Sequence, residues 1–548
     1  MLQASVAAVE SHIIAIRGRA EAMQIIDSSS LSEQELQFRQ LQAFLREYWY
    51  TVEDFDRSDG DILVIPSLSL DRRELLKIDG VHHYEERLLF SLIRLQNPRT
   101  RLIYVTSQPL HPSVIDYYLQ LLPGIPFSHA RDRLLLLSTY DSSHKPLTQK
   151  ILERPRLIAR LRQALRPGKS FMICYNSSSW ERDLSVQIGV PLYAADPRLQ
   201  IWGTKSGSRQ IFAQSGIPYP DGSNESLWNV EELIIAISQL WEQKPQIKRM
   251  VVKLNEGISG EANAILDLRP IQNIASPPEK PEGIRQQLQQ MRFQAKSENW
   301  DNFSGRIPEI GAIVEEFVEG EEKRSPSVQG RITPNGEVEI LSTHDQILGG
   351  PDGQIYLGCR FPADEAYRLQ IQDLGLKVGR TLAEKGALER FGVDFIAVRQ
   401  PGIDGDSWEV QAIEINLRKG GTTHPFMTLK LLTNGRYDLS TGLFYSQQGR
   451  EKYYTATDNL QKERYKGLLP NDLMDIIATH RLHFDSGTET GTVFHLMGCL
   501  SEFGKLGVTS IGDSPQQAQE IYNRLVKVLD GETRSLIEPD LSFNHNFG

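Results

Sequence analysis

Residues Trp408 to Pro425 read W-E-V-Q-A-I-E-I-N-L-R-K-G-G-T-T-H-P. The first half alternates polar and apolar residues with a period of two, which predicts a strand. Residues two apart on a strand share a face, so Glu414 and Asn416 stand side by side with their oxygens pointing one way. Arg418, Lys419, Gly420 and Gly421 follow as a basic, flexible turn. Carboxylate and amide oxygens are hard ligands that suit magnesium, and magnesium usually comes with phosphate. A solvated strand end before an ordinary Gly-Gly turn has the same local pattern. The residues upstream decide between the two.

Just before this stretch, Gly392 to Val398 (G-V-D-F-I-A-V) reads as a strand that turns through a Gly/Asp/Pro loop back to Glu409–Leu417. A roughly symmetric turn puts Asp394 across from the neighbourhood of Glu414, so Asp394, Glu414 and Asn416 form one oxygen cluster. Farther back, Ala312 to Val318 (A-I-V-E-E-F-V) is a predicted strand leading into Glu319-Gly320-Glu321-Glu322-Lys323-Arg324. More strands are predicted at 327–332, 338–342 and 354–357, with a helix over 376–385. Met250 to Leu254 (M-V-V-K-L) and 263–268 predict a hairpin, with Lys253 just before its tip. A tip that merely turns needs about two to five residues. The 255–262 connection is longer and carries two glycines, whose backbone can close over phosphates. Upstream again, Lys205 sits in a Gly-rich turn, 203–209, ahead of a helix and of Gly216-Ile217-Pro218-Tyr219-Pro220. Backbone donors and a helix N-terminus add to its charge there and suit an anion, although surface lysines near helix starts are common. Residues 276–283 read as a Pro-rich bend without regular structure, and a Gln-rich helix is predicted over 284–293.

The ends of the chain have other characters. Residues 2–50 look helical, with Leu36, Phe38, Leu41 and Leu45 on one stripe and Ser30 or Ser32 as cap. Short apolar runs at 62–65, 102–105 and 171–174 alternate with amphipathic helices, which predicts a parallel sheet covered on both faces. Their polar loops, Thr106-Ser107-Gln108 and 175–179, stand where open parallel sheets gather ligands, though plain turn chemistry explains them better. No G-x-G-x-x-G follows these strands, which disfavours a dinucleotide fold. Beyond about Asp438 a smaller unit is expected, with strands at 477–484, 492–496 and 507–511 and an amphipathic helix over 514–529. His480, His483 and His495 lack a cysteine or carboxylate pair to complete a metal site.

The 548 residues are too many for one core. A net charge of -10 gives no footprint for nucleic acid. The three cysteines, Cys174, Cys359 and Cys499, have no metal-ligand spacing and imply no disulfide framework. A reducing cytoplasm, no signal peptide and no membrane span are expected.

The order of the motifs carries more than any one of them. A lysine in a Gly-rich turn ending G-I-P-Y-P, then V-V-K before a Gly-rich hairpin, V-E-E-F-V-E-G-E-E, G-V-D-F and E-I-N-L-R resemble the ATP-grasp fold over 204–437. The alternating unit before them looks like that family's pre-ATP-grasp domain. G-G-T-T-H-P, T-G-T-V-F-H-L-M-G-C-L and F-G-K-L-G-V-T look like the pheganomycin-type peptide ligases. The fold expected on this resemblance is mixed α/β and α+β. It has N-terminal helices (1–50), a pre-ATP-grasp parallel-sheet domain (51–200), a two-lobe ATP-grasp core (201–440, lid 204–310, metal and hinge part 311–440) and a small C-terminal α+β domain (441–548).

The resemblance also implies roles. Lys205 and Lys253 hold ATP phosphates, and Glu256, Gly257, Ser259 and Gly260 close over them. Glu315, Glu316, Phe317 and Val318 form the adenine hinge, and Glu322 binds the ribose. Asp394, Glu414 and Asn416 hold two magnesium (or manganese) ions. Arg418 and Arg360 steady the transferred phosphoryl group, and His424 is the candidate base for the amine or else shapes its loop. The activity implied is an ATP-dependent carboxylate–amine ligase that forms an amide through an acyl phosphate, with amino-acid or peptide substrates and a homodimer possible. A kinase, a thiol-forming ligase and a non-catalytic nucleotide-binding regulator share the motifs. The intact Asp394/Glu414/Asn416 set argues against the regulator. The lack of a phosphohistidine or CoA-binding signal argues against the other two.

Overall fold

A computed structural model describes residues 32–51, 58–257, 262–272, 280–295, 298–350, 353–400 and 407–537. The helix Glu33–Thr51 starts at Ser32, whose hydroxyl accepts from the Glu35 N–H while its own N–H donates to the Glu35 carboxylate. Phe38 and Leu45 are its buried stripe. Caps of this kind contribute about 1 kcal/mol.

The N-terminal sheet has four parallel strands in the order Leu134–Ser138, Arg101–Thr106, Asp61–Ile65, Ser170–Cys174. Three are legible in the sequence as apolar runs. The fourth, L-L-L-L-S, lies at the sheet edge and is only partly buried. The helix Ser179–Ile188 that follows the last strand opens with a Ser178/Glu181 capping box and ends at Gly189 in the left-handed region. It begins at the carboxyl end of the sheet and so fixes the Tyr175–Asn176 loop.

The lid is a four-stranded antiparallel sheet: Arg292–Phe293, Asn263–Asp267, Arg249–Leu254, Ala312–Glu316. Three helices back it, Val230–Gln243, Lys280–Gln289 and Trp300–Ile310. Their apolar faces bury Leu233, Ile237, Leu288 and Phe303 against Met250, Val252 and Leu266. The Lys280–Gln289 helix corrects one expectation. Residues 280–283 form its first turn, where Pro281 is tolerated because its missing N–H has no helical partner there anyway.

The main antiparallel sheet runs Ser407–Asn416, Glu389–Gln400, Pro326–Ile332, Val338–Gly349, Ile355–Phe361, Tyr453–Gln461, Lys505–Gly512, Gly491–His495. The helix Arg368–Glu384 packs Ile371, Val378 and Leu382 on it. The last three strands belong to the region that reads from sequence as a separate C-terminal unit, yet they extend the same sheet. The junction pairs Gly358 with Thr457 and Arg360 with Thr455. Glycine is required at 358, because a Cβ there would stand 2.3 Å from the Ala456 carbonyl oxygen. A second correction falls nearby. Residues 470–480 are helical, so His480 ends a helix where the sequence predicts a strand over 477–484.

The N-terminal and C-terminal regions also share a core. The 3₁₀ helix Val81–Gln96 packs Leu88 and Leu92 with Phe426 and Leu429 of the helix Thr423–Thr433 and with Phe494 and Val508. Glu86 ties the two further, accepting from the Met497 and Gly498 N–H groups at 2.7 and 3.0 Å.

Candidate active site

A cleft of about 1510 Å³ lies between the lid, the main sheet and the N-terminal loops. The strand Glu389–Gln400 supplies Asp394, and Ser407–Asn416 supplies Glu414 and Asn416. The register places Asp394 directly opposite Glu414, and Gly392 opposite Asn416. A bulge after Asp394 re-aims the strand at this point. Asn416 donates its amide N–H to Asp394 at 2.9 Å, and Gln346 donates to the other Asp394 oxygen at 2.7 Å. Burial, then the nearby Glu414 charge, pushes the Asp394 carboxyl up. Burial acts most strongly on Glu414 and raises it, but Lys205, Arg418 and Lys253 together outweigh burial and hold that carboxyl down.

Lys205 opens the helix Lys205–Ser215, whose cap is Thr204. Its ammonium meets Glu414 at 2.5 Å, so it stands beside the carboxylate cluster. Asn255, at the end of a lid strand, accepts from the Lys205 and Ser206 N–H groups and joins lid to helix. Lys253 lines the cleft and pairs with buried Glu315 at 2.6 Å. Arg209 lies 3.8 Å from the same carboxylate. Glu316, Phe317 and Val318 continue along the wall beside Val251, Phe395 and Ile413, an apolar slot with a polar hinge. Glu316 is held by Lys244 at 2.8 Å. Arg249 and Lys323 lie 4.0 and 4.2 Å from the centre of the Phe317 ring.

Arg418 and Arg360 both line the cleft. So do Gly420, Gly421 and Thr422, which lead into the helix Thr423–Thr433. A Cβ on Gly421 would lie 2.6 Å from the Tyr356 ring, so the turn keeps its glycine for close passage.

Three expectations change. Glu322 is outside the cleft lining. Arg399 and Arg324 take its two oxygens at 2.7 and 3.0 Å, while Lys323 and Arg324 next to it pair with the main sheet and line the cleft. His424 is also outside the lining and is buried. Its Nε2 lies 3.0 Å from Asp458, which also meets His495 at 2.6 Å and Arg87. Burial lowers His424 to about 4 against the pull of Asp458, so it is a neutral strut behind the wall and not a base facing substrate. His495 therefore joins His424 and Asp458, not His480 and His483; His480 pairs with Glu532. Finally, Glu256 and Gly257 flank the hairpin tip without lining the cleft, and Ser259 and Gly260 lie outside the described residues.

Sequence reasoning misses Gln346, Tyr84, Arg87 and Lys505, all on the cleft wall. Lys505 lies inside the F-G-K-L-G-V-T motif, so a signal is present. Arg87 lies in V-H-H-Y-E-E-R-L-L-F, which has no pattern beyond amphipathicity.

Comparison with known proteins bears on the family and the fold. A family model described as IQCH-like, ATP-grasp matches residues 198–297 and 278–440, and one described as PGM1 C-terminal domain matches 472–525. The L-propargylglycine–L-glutamate ligase of Streptantibioticus cattleyicolor is 30% identical over 478 residues, covering 85% of this chain and 93% of that protein. The IQ motif-containing protein H of Danio rerio is 22% identical over 425 residues, 69% of this chain but 39% of that protein. The biotin carboxylase of Campylobacter jejuni, solved as a β,γ-ATP complex, shares the fold with a TM-score of 0.52. It is 10% identical, over 88% of this chain and 96% of that chain. The chain belongs to the ATP-grasp family and is an ATP-dependent ligase that forms C–N bonds. Within the family it is related to the pheganomycin-type peptide ligases over most of its length.

Proposed function

We propose that the protein joins the carboxylate of one amino acid or peptide to the amine of another, spending ATP and releasing ADP and phosphate. The observation that carries the reading is the Asp394/Glu414/Asn416 cluster at one end of a cleft whose other walls are a polar hinge and two arginines. Burial first, and then the charge of the facing Glu414 carboxylate, push the Asp394 carboxyl up. That donor set suits magnesium, or manganese, with Asp394, Glu414 and Asn416 as ligands. When bound, the metal supplies neutralising charge for phosphoryl transfer.

The chain's own residues do the rest. The hinge from Glu315 to Val318 and the slot beside it take the nucleotide. Lys205 and Lys253 exchange their carboxylate partners for phosphate oxygens. A carboxylate has a poor leaving group, and an acyl phosphate has a good one. Forming it is mostly positioning and charge neutralisation, which two lysines and Arg418 supply. Arg360 and the donors before the helix Thr423–Thr433 face the oxyanion that forms when the amine attacks. The lid keeps water from the activated acyl group. No described helix is long and apolar enough to cross a membrane. Free buried cysteines and small polar substrates fit a reducing compartment such as the cytoplasm.

The test is ADP release with ATP, magnesium and pools of amino acids. Release only when a carboxylate and an amine are both present, with an amide product, supports the ligase. A stable phosphorylated product, or ADP release that needs no amine, overturns it.

A further inference from the structure

Beside the residues already described, the cleft wall holds two cations from segments distant in sequence. Arg87 comes from the 3₁₀ helix Val81–Gln96 and Lys505 from the strand Lys505–Gly512. Both gather about one ring. The Arg87 guanidinium lies 4.2 Å and the Lys505 ammonium 5.0 Å from the centre of Tyr84, and all three residues line the cleft. Lys505 is only 7% exposed, and its ammonium donates to the Tyr84 hydroxyl at 2.5 Å. Among the described residues no carboxylate lies within ion-pair distance of it. A buried ammonium served by one neutral oxygen is costly unless an anion completes it.

Arg87 is held differently. One terminal nitrogen donates to the Tyr175 hydroxyl at 3.0 Å and the other meets Asp458, while its buried Nε–H has no acceptor. Asp458 is itself gripped by His424 and His495. The guanidinium is therefore fixed in place against the same Tyr84 ring that the Lys505 ammonium approaches.

We propose that Arg87 and Lys505 form a carboxylate subsite, distinct from the place of phosphoryl transfer, that takes the α-carboxylate of an amino-acid substrate. This rests on the ligase reading for its substrate class. The carboxylate it holds is a spectator, not the one joined. Asp458 is a positioning residue for Arg87. The subsite selects a free acid over the matching amide, because an amide brings no charge to Lys505 and sets an N–H against two donors.

The experiment uses the full chain with ATP and magnesium. Saturation-transfer NMR is recorded with the amino acids and with their α-amides, alongside ADP release with the same compounds. The expected result is saturation of one or more free acids and not of their amides. In Lys505→Met and Arg87→Met the preference for acid over amide falls at least tenfold, and Lys505→Arg recovers part of it. A purely structural role for these residues lowers acid and amide together and leaves the ratio unchanged. Equal binding of acids and amides, no binding of any acid, or an unchanged ratio in both Met variants overturns the subsite. Acid-selective binding without ADP release in any pairing overturns the ligase reading and leaves the subsite standing.

Discussion

Asp394 and Glu414 are register partners on neighbouring antiparallel strands, and they titrate in opposite directions. Burial and the Glu414 charge raise Asp394. For Glu414, burial is outweighed by the Lys205 ammonium at 2.5 Å together with Arg418 and Lys253, and the carboxyl is lowered. The pair is thus arranged for a divalent cation to bridge or share.

Glu414→Gln keeps the shape and removes one charge. ADP release with the accepted substrates should fall at least about 100-fold, while nucleotide affinity changes only a few-fold. Calorimetric nucleotide binding and an ADP assay check this, and wild-type turnover in the variant refutes the ligand assignment. Chelating magnesium with EDTA should stop wild-type turnover, and added manganese should restore part of it.

Lys253 and Glu315 form a buried pair at 2.6 Å on adjacent lid strands. Lys253→Met leaves Glu315 buried without that partner and should cost about 3 kcal/mol of stability. Adding Glu315→Gln should recover much of that loss but not the affinity for ATP. A KM for ATP that returns with stability would show that Lys253 acts only through the fold. Urea denaturation and ATP titration of both variants separate the outcomes.

Gly358→Ala drives a methyl group to within 2.3 Å of a backbone oxygen at the sheet junction. We expect a loss of about 1–3 kcal/mol in chemical denaturation. Gly305→Ala is the contrasting control. It lies in the helix Trp300–Ile310 with nothing within 4 Å of the added methyl, and should stabilise by up to about 1 kcal/mol.

His424 titrates near 6.5 when unfolded and near 4 in the fold, where burial outweighs Asp458. Between those values the unfolded chain binds more protons, so stability falls as pH drops from 6.5 towards 4. His424→Gln has no such proton to bind. The wild type should therefore lose about 3 kcal/mol more than the variant over that window. Burial acts on Asp458 too, but Arg87 and His424 outweigh it and keep that carboxyl well below the usual range, so it adds its own loss only at lower pH. Parallel pH slopes for the two proteins would contradict the assignment.

Much of this is legible along the chain. Period-two alternation at 408–416 and the short return from 392–398 are enough to bring Asp394 opposite Glu414, because register follows from a hairpin's turn and pattern. Lys253 is readable for the same reason, since it stands at a hairpin end. The sites that escape depend on contacts between distant segments. Nothing near Arg87 states that Asp458, 371 positions later by their numbers, will hold it. Glu322 is misplaced by sequence because a two-residue strand, Lys323–Arg324, has no periodicity to read. His424 looks catalytic because a Gly-rich turn precedes it, and only packing reveals that it faces inward.

The eight-strand path from Ser407–Asn416 to Gly491–His495 has an evolutionary consequence. Removing the last three strands would bare the Ile355–Phe361 edge and with it a row of unpaired amides, an invitation to aggregate. Arg87 and Lys505 meet at the Tyr84 ring only when the segments 81–96 and 505–512 are both folded onto that path. Exchange of specificity between related enzymes must therefore move the 81–96 and 505–512 segments together, and chimeras that swap one of them alone should be insoluble or indiscriminate.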